Sequence, residues 1–139
     1  MKTLAASLLL FSGLLQACEG LEITDAWIRE APPGSMMTAA YAKLRNTGNQ
    51  LLIVDGTFSS EFGGAELHRT VLEDGISRML ARQTIELLPG QRQTLEPGGY
   101  HLMLFRPNRP LKTGDKVPLA LRCGKKAVEA FFTIRASVE

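Results

Sequence analysis

The chain has 139 residues, with 45% apolar and 22% charged side chains and a formal net charge of +2. That is enough chain for one globular domain with a modest core. The weak net charge, without any Lys/Arg run or basic-aromatic interleaving, excludes a nucleic-acid surface.

The first element in chain order is a leader. "MKTLAASLLLFSGLLQAC" places one Lys after the initiator Met and then a short apolar run from Leu4 to Leu15, too short to remain as a membrane-spanning helix. Residues 1–17 read as a secretory signal peptide. Its end, "LQAC", resembles the bacterial lipobox, which implies that Cys18 is the first mature residue and carries a lipid. The expected location is the periplasm, with membrane attachment only through that lipid. Glu19, where an Asp would signal retention at the inner membrane, points to the outer membrane's inner leaflet.

Beyond the leader, no helical period of useful length survives. Apolar residues alternate or run in short blocks, with Gly, Pro, Asn and Asp punctuating them at close, even intervals. The predicted strands are "EITDAWIRE", "TAAYAKLRN", "LLIVDGTFS", "AELHRTVL", "ISRMLARQTIELL", "QRQTLEP", "GYHLMLFR", "KVPLALRC" and "VEAFFTIRA". Such a pattern points to an all-β antiparallel sandwich or Greek-key barrel occupying residues 21–137 as a single domain.

Two cysteines in an exported chain first suggest a disulfide. A lipid thioether at Cys18 would leave Cys123 without a partner. In "KVPLALRC", Cys123 shares the parity of Val117, Leu119 and Leu121, so it reads as a small buried apolar residue. A Cys18–Cys123 bridge and a metal-ligating thiol are the alternatives.

The two histidines of the chain each have a methionine within reach. A two-residue turn at Asp74-Gly75 would pair Glu73 with Ile76 and Thr70 with Met79, making His68 and Met79 diagonal neighbours on one face. A slip of one residue would separate them. His101 and Met103 share a face by the two-residue strand period, with Leu102 and Leu104 turned to the core. Thioether sulfur is a soft, neutral donor that suits Cu(I) and serves Zn(II), Mg(II) or Ca(II) poorly. With four neutral ligands and no carboxylate or thiolate in view, the set favours Cu(I) over Cu(II). Singly, each Met reads as core packing and each His as a satisfied strand residue; only the joint pattern points to metal. Protons compete for both imidazoles, so affinity is expected to fall as pH drops through about 6.5.

The spacing from His68 through Met79 and His101 to Met103 matches the H-x10-M-x21-H-x-M signature of the PCuAC copper chaperones. Flanking text is also similar: "DAWIREAPPG", "TAAYAKLRNTG", "AELHRTVLEDGISRM" and "LEPGGYHLMLFRPNRPLKTGDKVPLALR". The resemblance implies a cupredoxin-like or immunoglobulin-like antiparallel β-sandwich and one Cu(I) held by those four residues. It further implies delivery in the periplasm towards the CuA centre of cytochrome c oxidase, with thioredoxin-like Sco proteins as co-workers of a monomer. Some family members carry a His- and Met-rich tail implicated in a second, Cu(II) site; with "FFTIRASVE" closing this sequence, that second site is not expected here. Met36 and Met37 are read first as loop packing, and second as extra sulfur for copper capture.

Other functions find less support. A blue-copper electron carrier needs a Cys thiolate beside its histidines, and Cys123 lies in the wrong order and on a core-facing parity. Copper sequestration without a dedicated oxidase acceptor would use the same ligands. A plain scaffold sandwich would bind no stoichiometric copper. Catalysis is not expected, because no nucleophile–base pair, paired carboxylates or phosphate loop stands out.

Overall fold

The computed structural model describes residues 18–137, so the expected signal peptide at 1–17 lies outside the described residues. The strands are β1 (Leu21–Arg29), β2 (Met37–Asn46), β3 (Leu52–Val54), β4 (Gly56–Phe58), β5 (Phe62–Glu73), β6 (Ile76–Leu80), β7 (Ile85–Leu87), β8 (Arg92–Leu95), β9 (Tyr100–Pro107), β10 (Lys116–Cys123) and β11 (Lys126–Arg135). The main sheet runs β4-β10-β11-β1-β2-β9-β5-β6, with β8 paired to β2, while β3 and β7 form a second, two-stranded sheet. Every pairing is antiparallel except that of β1 with β11. The sheet folds over on itself, bringing β4 back against β5. The result is the all-β sandwich that the alternation predicts.

Alternation decides what fills the interior. Ile28, Ala40, Leu67, Leu102, Leu104, Val117, Leu119, Leu121, Phe132 and Ile134 all point inward and are buried. Directly paired positions keep this parity across strands: Ile28 faces Ala40, Ala40 faces Leu102, and Leu102 faces Leu67. Consequently the odd-numbered neighbours on β9, His101 and Met103, stand on the opposite side of the sheet from the core.

Two of the predicted strands are each divided. "LLIVDGTFS" becomes β3 and β4, because Asp55 leaves the first pairing, donates its N–H to the Arg122 carbonyl (2.9 Å) and accepts from the Gly124 N–H (3.2 Å). "ISRMLARQTIELL" becomes β6 and β7, broken where Arg82 adopts φ +52°. There the chain leaves its pairing with β5 after Leu80 and passes to the second sheet, where Ile85 pairs with Val54. Met37, expected in a loop, is instead the first residue of β2.

The larger correction concerns the cysteines. Cys18 and Cys123 are bonded to each other, with Cα atoms 5.4 Å apart and a separation of 105 positions in sequence. Both are buried against the core, which explains why parity alone read Cys123 as an apolar side chain. It is not an unpaired one. A sulfur in this bond cannot also carry a thioether lipid, so the disulfide and lipidation at Cys18 exclude each other, and the structure takes the disulfide.

Candidate metal centre

The site is built on the β5–β9 pairing, where His68 lies directly opposite His101. The ring centroids are 5.8 Å apart with planes inclined at 65°, so two nitrogens can approach one point without the rings stacking. Phe105, two positions beyond Met103, flanks His68 with centroids 6.3 Å apart. Although they sit on the face away from the core, His68 and His101 are only 7% and 4% exposed.

Each imidazole has one nitrogen committed and one left over. His101 Nδ1 lies 3.1 Å from the Gly99 carbonyl oxygen, which can only accept, so Nδ1 carries the proton. His68 Nε2 lies 2.7 Å from Glu66 Oε2, again an acceptor, so the proton is on Nε2. The lone pairs therefore reside on His101 Nε2 and His68 Nδ1. Among the described residues these are the buried side-chain polar atoms without a hydrogen-bond partner. Buried polar groups are nearly always satisfied, and leaving one unsatisfied costs about 1–3 kcal/mol. Two such lone pairs on facing rings suit an electron-pair acceptor between them.

Met103 follows His101 at the strand period and pairs with Glu66 on one side and Ala39 on the other. The Ala39 methyl leaves room for a long thioether above it. Met79 pairs with Thr70, and Glu73 with Ile76, the register expected of an Asp-Gly turn; Asp74 and Gly75 have φ +50° and +75°, as a type I′ hairpin requires. Met79 thus shares the face of Thr70 and His68, one diagonal step from His68 and 54% exposed. Two nitrogens are buried and preset, while one of the two sulfurs stands in solvent on an edge hairpin. Among the described residues no group of three or more His, Cys, Asp or Glu gathers, and the further side-chain donors on this face are the two thioethers.

Glu66 is the residue that sequence reasoning missed. It lies two positions before His68, on the same face by parity, and its carboxylate fixes the His68 tautomer and ring orientation. The signal was present in "AELH" but carried no more weight than any solvated strand glutamate. Such outer partners typically contribute ten- to a hundredfold to metal affinity. Glu66→Ala is expected to weaken metal binding by roughly that factor, with Glu66→Gln recovering part of the loss. Competition titrations of both variants check this, and unchanged affinity in Glu66→Ala would contradict it.

Burial holds the His101 pKa below its ordinary 6.5, and the nearby His68 and Arg29 act in the same direction, while the Gly99 hydrogen bond opposes them. The unfolded chain thus binds the proton at a pH where the folded one does not. The His101 contribution to stability is fully present above about 6.5 and is lost as pH falls towards the lowered value. The urea midpoint of the metal-free protein should drop between pH 7.5 and 5, and by less in His101→Gln. The same shift moves proton competition at His101 to lower pH than an ordinary histidine would give.

Comparison with known proteins places the fold. The fold matches the apo PCuAC domain from PmoF1 with a TM-score of 0.72 and 24% identity, covering 85% of this chain and 95% of that one. The copper-bound PCuAC domain from PmoF2 matches with a TM-score of 0.69 and 21% identity, covering 85% and 94%. The Cu(I) form of DR1885 from Deinococcus radiodurans matches with a TM-score of 0.61 and 25% identity, covering 87% and 83%. The domain is therefore a β-sandwich of the PCuAC type. Residues 21–134 match the sequence profile described as "Putative lipoprotein LpqE-like", and the chain belongs to that LpqE-like family. A protein of Leifsonia xyli subsp. xyli that bears the lipoprotein name is 37% identical over 105 residues, covering 75% of this chain and 62% of that protein. An uncharacterized protein of Rickettsia prowazekii is 31% identical over 107 residues, covering 74% and 59%. The chain spans about three fifths of the length of these curated relatives.

Proposed function

We propose that the protein binds one Cu(I) ion through His68 Nδ1, His101 Nε2 and the sulfurs of Met79 and Met103, and carries it to an acceptor. The observation that carries this reading is the pair of buried, unpartnered imidazole lone pairs on facing strands, with thioethers on the same face. Structural neighbours that hold copper, one of them as Cu(I), support the choice of ion.

The preference for Cu(I) rests on the softness of sulfur, and charge adds less than the ligand types alone suggest. Glu66 brings one negative charge into hydrogen-bond contact with His68, offset in part by Arg82 4.0 Å from the same carboxylate, so it reduces the positive charge left by either ion without cancelling it. The mixture of rigid and mobile donors suits a carrier. The histidines are locked by Glu66 and Gly99, whereas the exposed Met79 can release its sulfur first and admit an incoming ligand. Transfer then proceeds as stepwise ligand exchange to a site with stronger donors. By family resemblance that acceptor is the CuA centre of cytochrome c oxidase, with Sco-type proteins as co-workers. No step calls for covalent catalysis, and the role is binding and delivery.

An exported setting agrees with the disulfide, which persists in oxidising compartments. The lipoprotein names of relatives support an exported, lipid-attached setting for the family, whereas on this chain both cysteines are used in the disulfide, which leaves no thiol for a lipid thioether. Anaerobic titration of the mature protein with Cu(I) against a chromophoric chelator tests the reading. One equivalent bound more tightly than by the chelator, and released to a thiolate acceptor, supports it; absence of stoichiometric binding ends it.

A further inference from the structure

Apart from the initiator, the chain's methionines are Met36, Met37, Met79 and Met103; Met79 lies at the Thr70 end of the site face, and Met36 and Met37 lie towards the other end, beside Phe105. Met37 pairs with Phe105, and Ala39 with Met103. Met37 and Met103 are therefore diagonal neighbours on the same side of the sheet, with Cβ atoms roughly 7–8 Å apart. One ion between two thioethers can span that distance. Met36 and Met37 are 57% and 54% exposed, and both line an open groove together with Met103. His68 and His101 do not line it, so Met103 is the member of the four-residue set that faces both the groove and the histidines.

The groove is held open by backbone and ion-pair contacts that leave the sulfurs free. Arg106 donates its N–H to the Met36 carbonyl (2.8 Å), and Ser35 Oγ donates to the Met37 carbonyl (2.9 Å). On the opposite wall, Arg109 bridges Glu61 and Asp115, and Thr113 Oγ1 donates to Glu30 (2.6 Å). The main chain of both methionines is fixed while their side chains stand in solvent. An exposed apolar side chain is unremarkable singly; two adjacent thioethers beside a third in one groove are a soft-donor cluster.

We infer that Met37, with Met36 beside it, is a transfer ligand for Cu(I), a sulfur outside the four-residue set through which the ion enters and leaves. The inference rests on the copper reading above. In the exchange, a Met37 sulfur lone pair forms a bond to copper as the bond from Met103 breaks. The ion remains Cu(I), no electron is transferred and no proton moves. Met36 offers the next sulfur along the groove.

The test uses the mature protein with its methionine methyl groups labelled with carbon-13, and a double variant Met36→Leu, Met37→Leu that keeps apolar bulk and removes sulfur. Equilibrium Cu(I) affinity should change by no more than about twofold, as for a surface substitution. The rate of copper transfer to bicinchoninate should fall about tenfold. In the parent, the Met37 methyl resonance should shift on addition of Cu(I), and it should still shift in His68→Ala, His101→Ala, where the thioether cluster is intact. Transfer at the parent rate in the leucine variant, or a Met37 resonance indifferent to Cu(I), overturns the inference. If the parent binds one equivalent while those results appear, only the transfer ligand falls. If the parent binds none, the four-residue site falls, and the Met37 resonance decides the thioether cluster on its own.

Discussion

Replacing His101 and Met103 together by alanine is expected to abolish stoichiometric Cu(I) binding, with affinity falling more than about a hundredfold. That exceeds the ten- to hundredfold typical of losing a supporting residue. The reason is geometric as well as chemical. His101 Nε2 is buried and already oriented by the bond from Nδ1 to Gly99, so its removal loses a donor whose desolvation and ordering were complete before the metal arrived. Met103 goes with it as the sulfur nearest the histidine pair along β9. His68→Ala should act similarly, and it would also leave Glu66 without its 2.7 Å partner. Met79→Ala should cost less, because that side chain is half in solvent and on an edge hairpin. Competition titration against one chelator for the whole series gives the ranking. Equal affinity in the parent and the His101→Ala, Met103→Ala variant would remove the metal centre altogether.

The second large effect concerns the cysteines. Breaking the Cys18–Cys123 bond, by reduction or by Cys18→Ser with Cys123→Ser, is expected to destabilise the domain by about 4 kcal/mol. A bridge closing a loop of this length restricts the unfolded chain by about that amount. For a domain of this size the melting temperature should fall by roughly 10–20 °C. The bond ties Cys18, ahead of β1, to the end of β10, holding the lead into β1 against the core. Thiol labelling of the unfolded, unreduced protein separates the two chemistries of Cys18. With the bridge, neither cysteine reacts and the intact mass shows no lipid. A lipid mass on Cys18 together with a freely reacting Cys123 would show that the sulfurs are used the other way.

Several parts of this molecule were legible in the chain itself. The alternation of "YHLMLF" places His101 and Met103 on one face and Leu102 and Leu104 in the core. The Asp74-Gly75 turn sets the register that brings Met79 to the side of His68. Both are local facts: a strand alternates because its side chains do, and a two-residue hairpin leaves one pairing open to it. The absence of helical period, and the resemblance carried by the His/Met spacing, were likewise enough to reach the sandwich.

Tertiary structure decided the rest. That His68 faces His101 depends on which non-consecutive strands become neighbours and in what register, and that is set by burial of Leu67 against Leu102 and of Leu102 against Ala40, a matter of the whole core. The same packing places Glu66 against His68, breaks the strands at Asp55 and Arg82, seats Met37 diagonally from Met103, and brings Cys18 to Cys123 across nearly the full chain. Periodicity assigns a side chain to a face; only the folded core, by choosing strand partners, determines which side chains on that face meet.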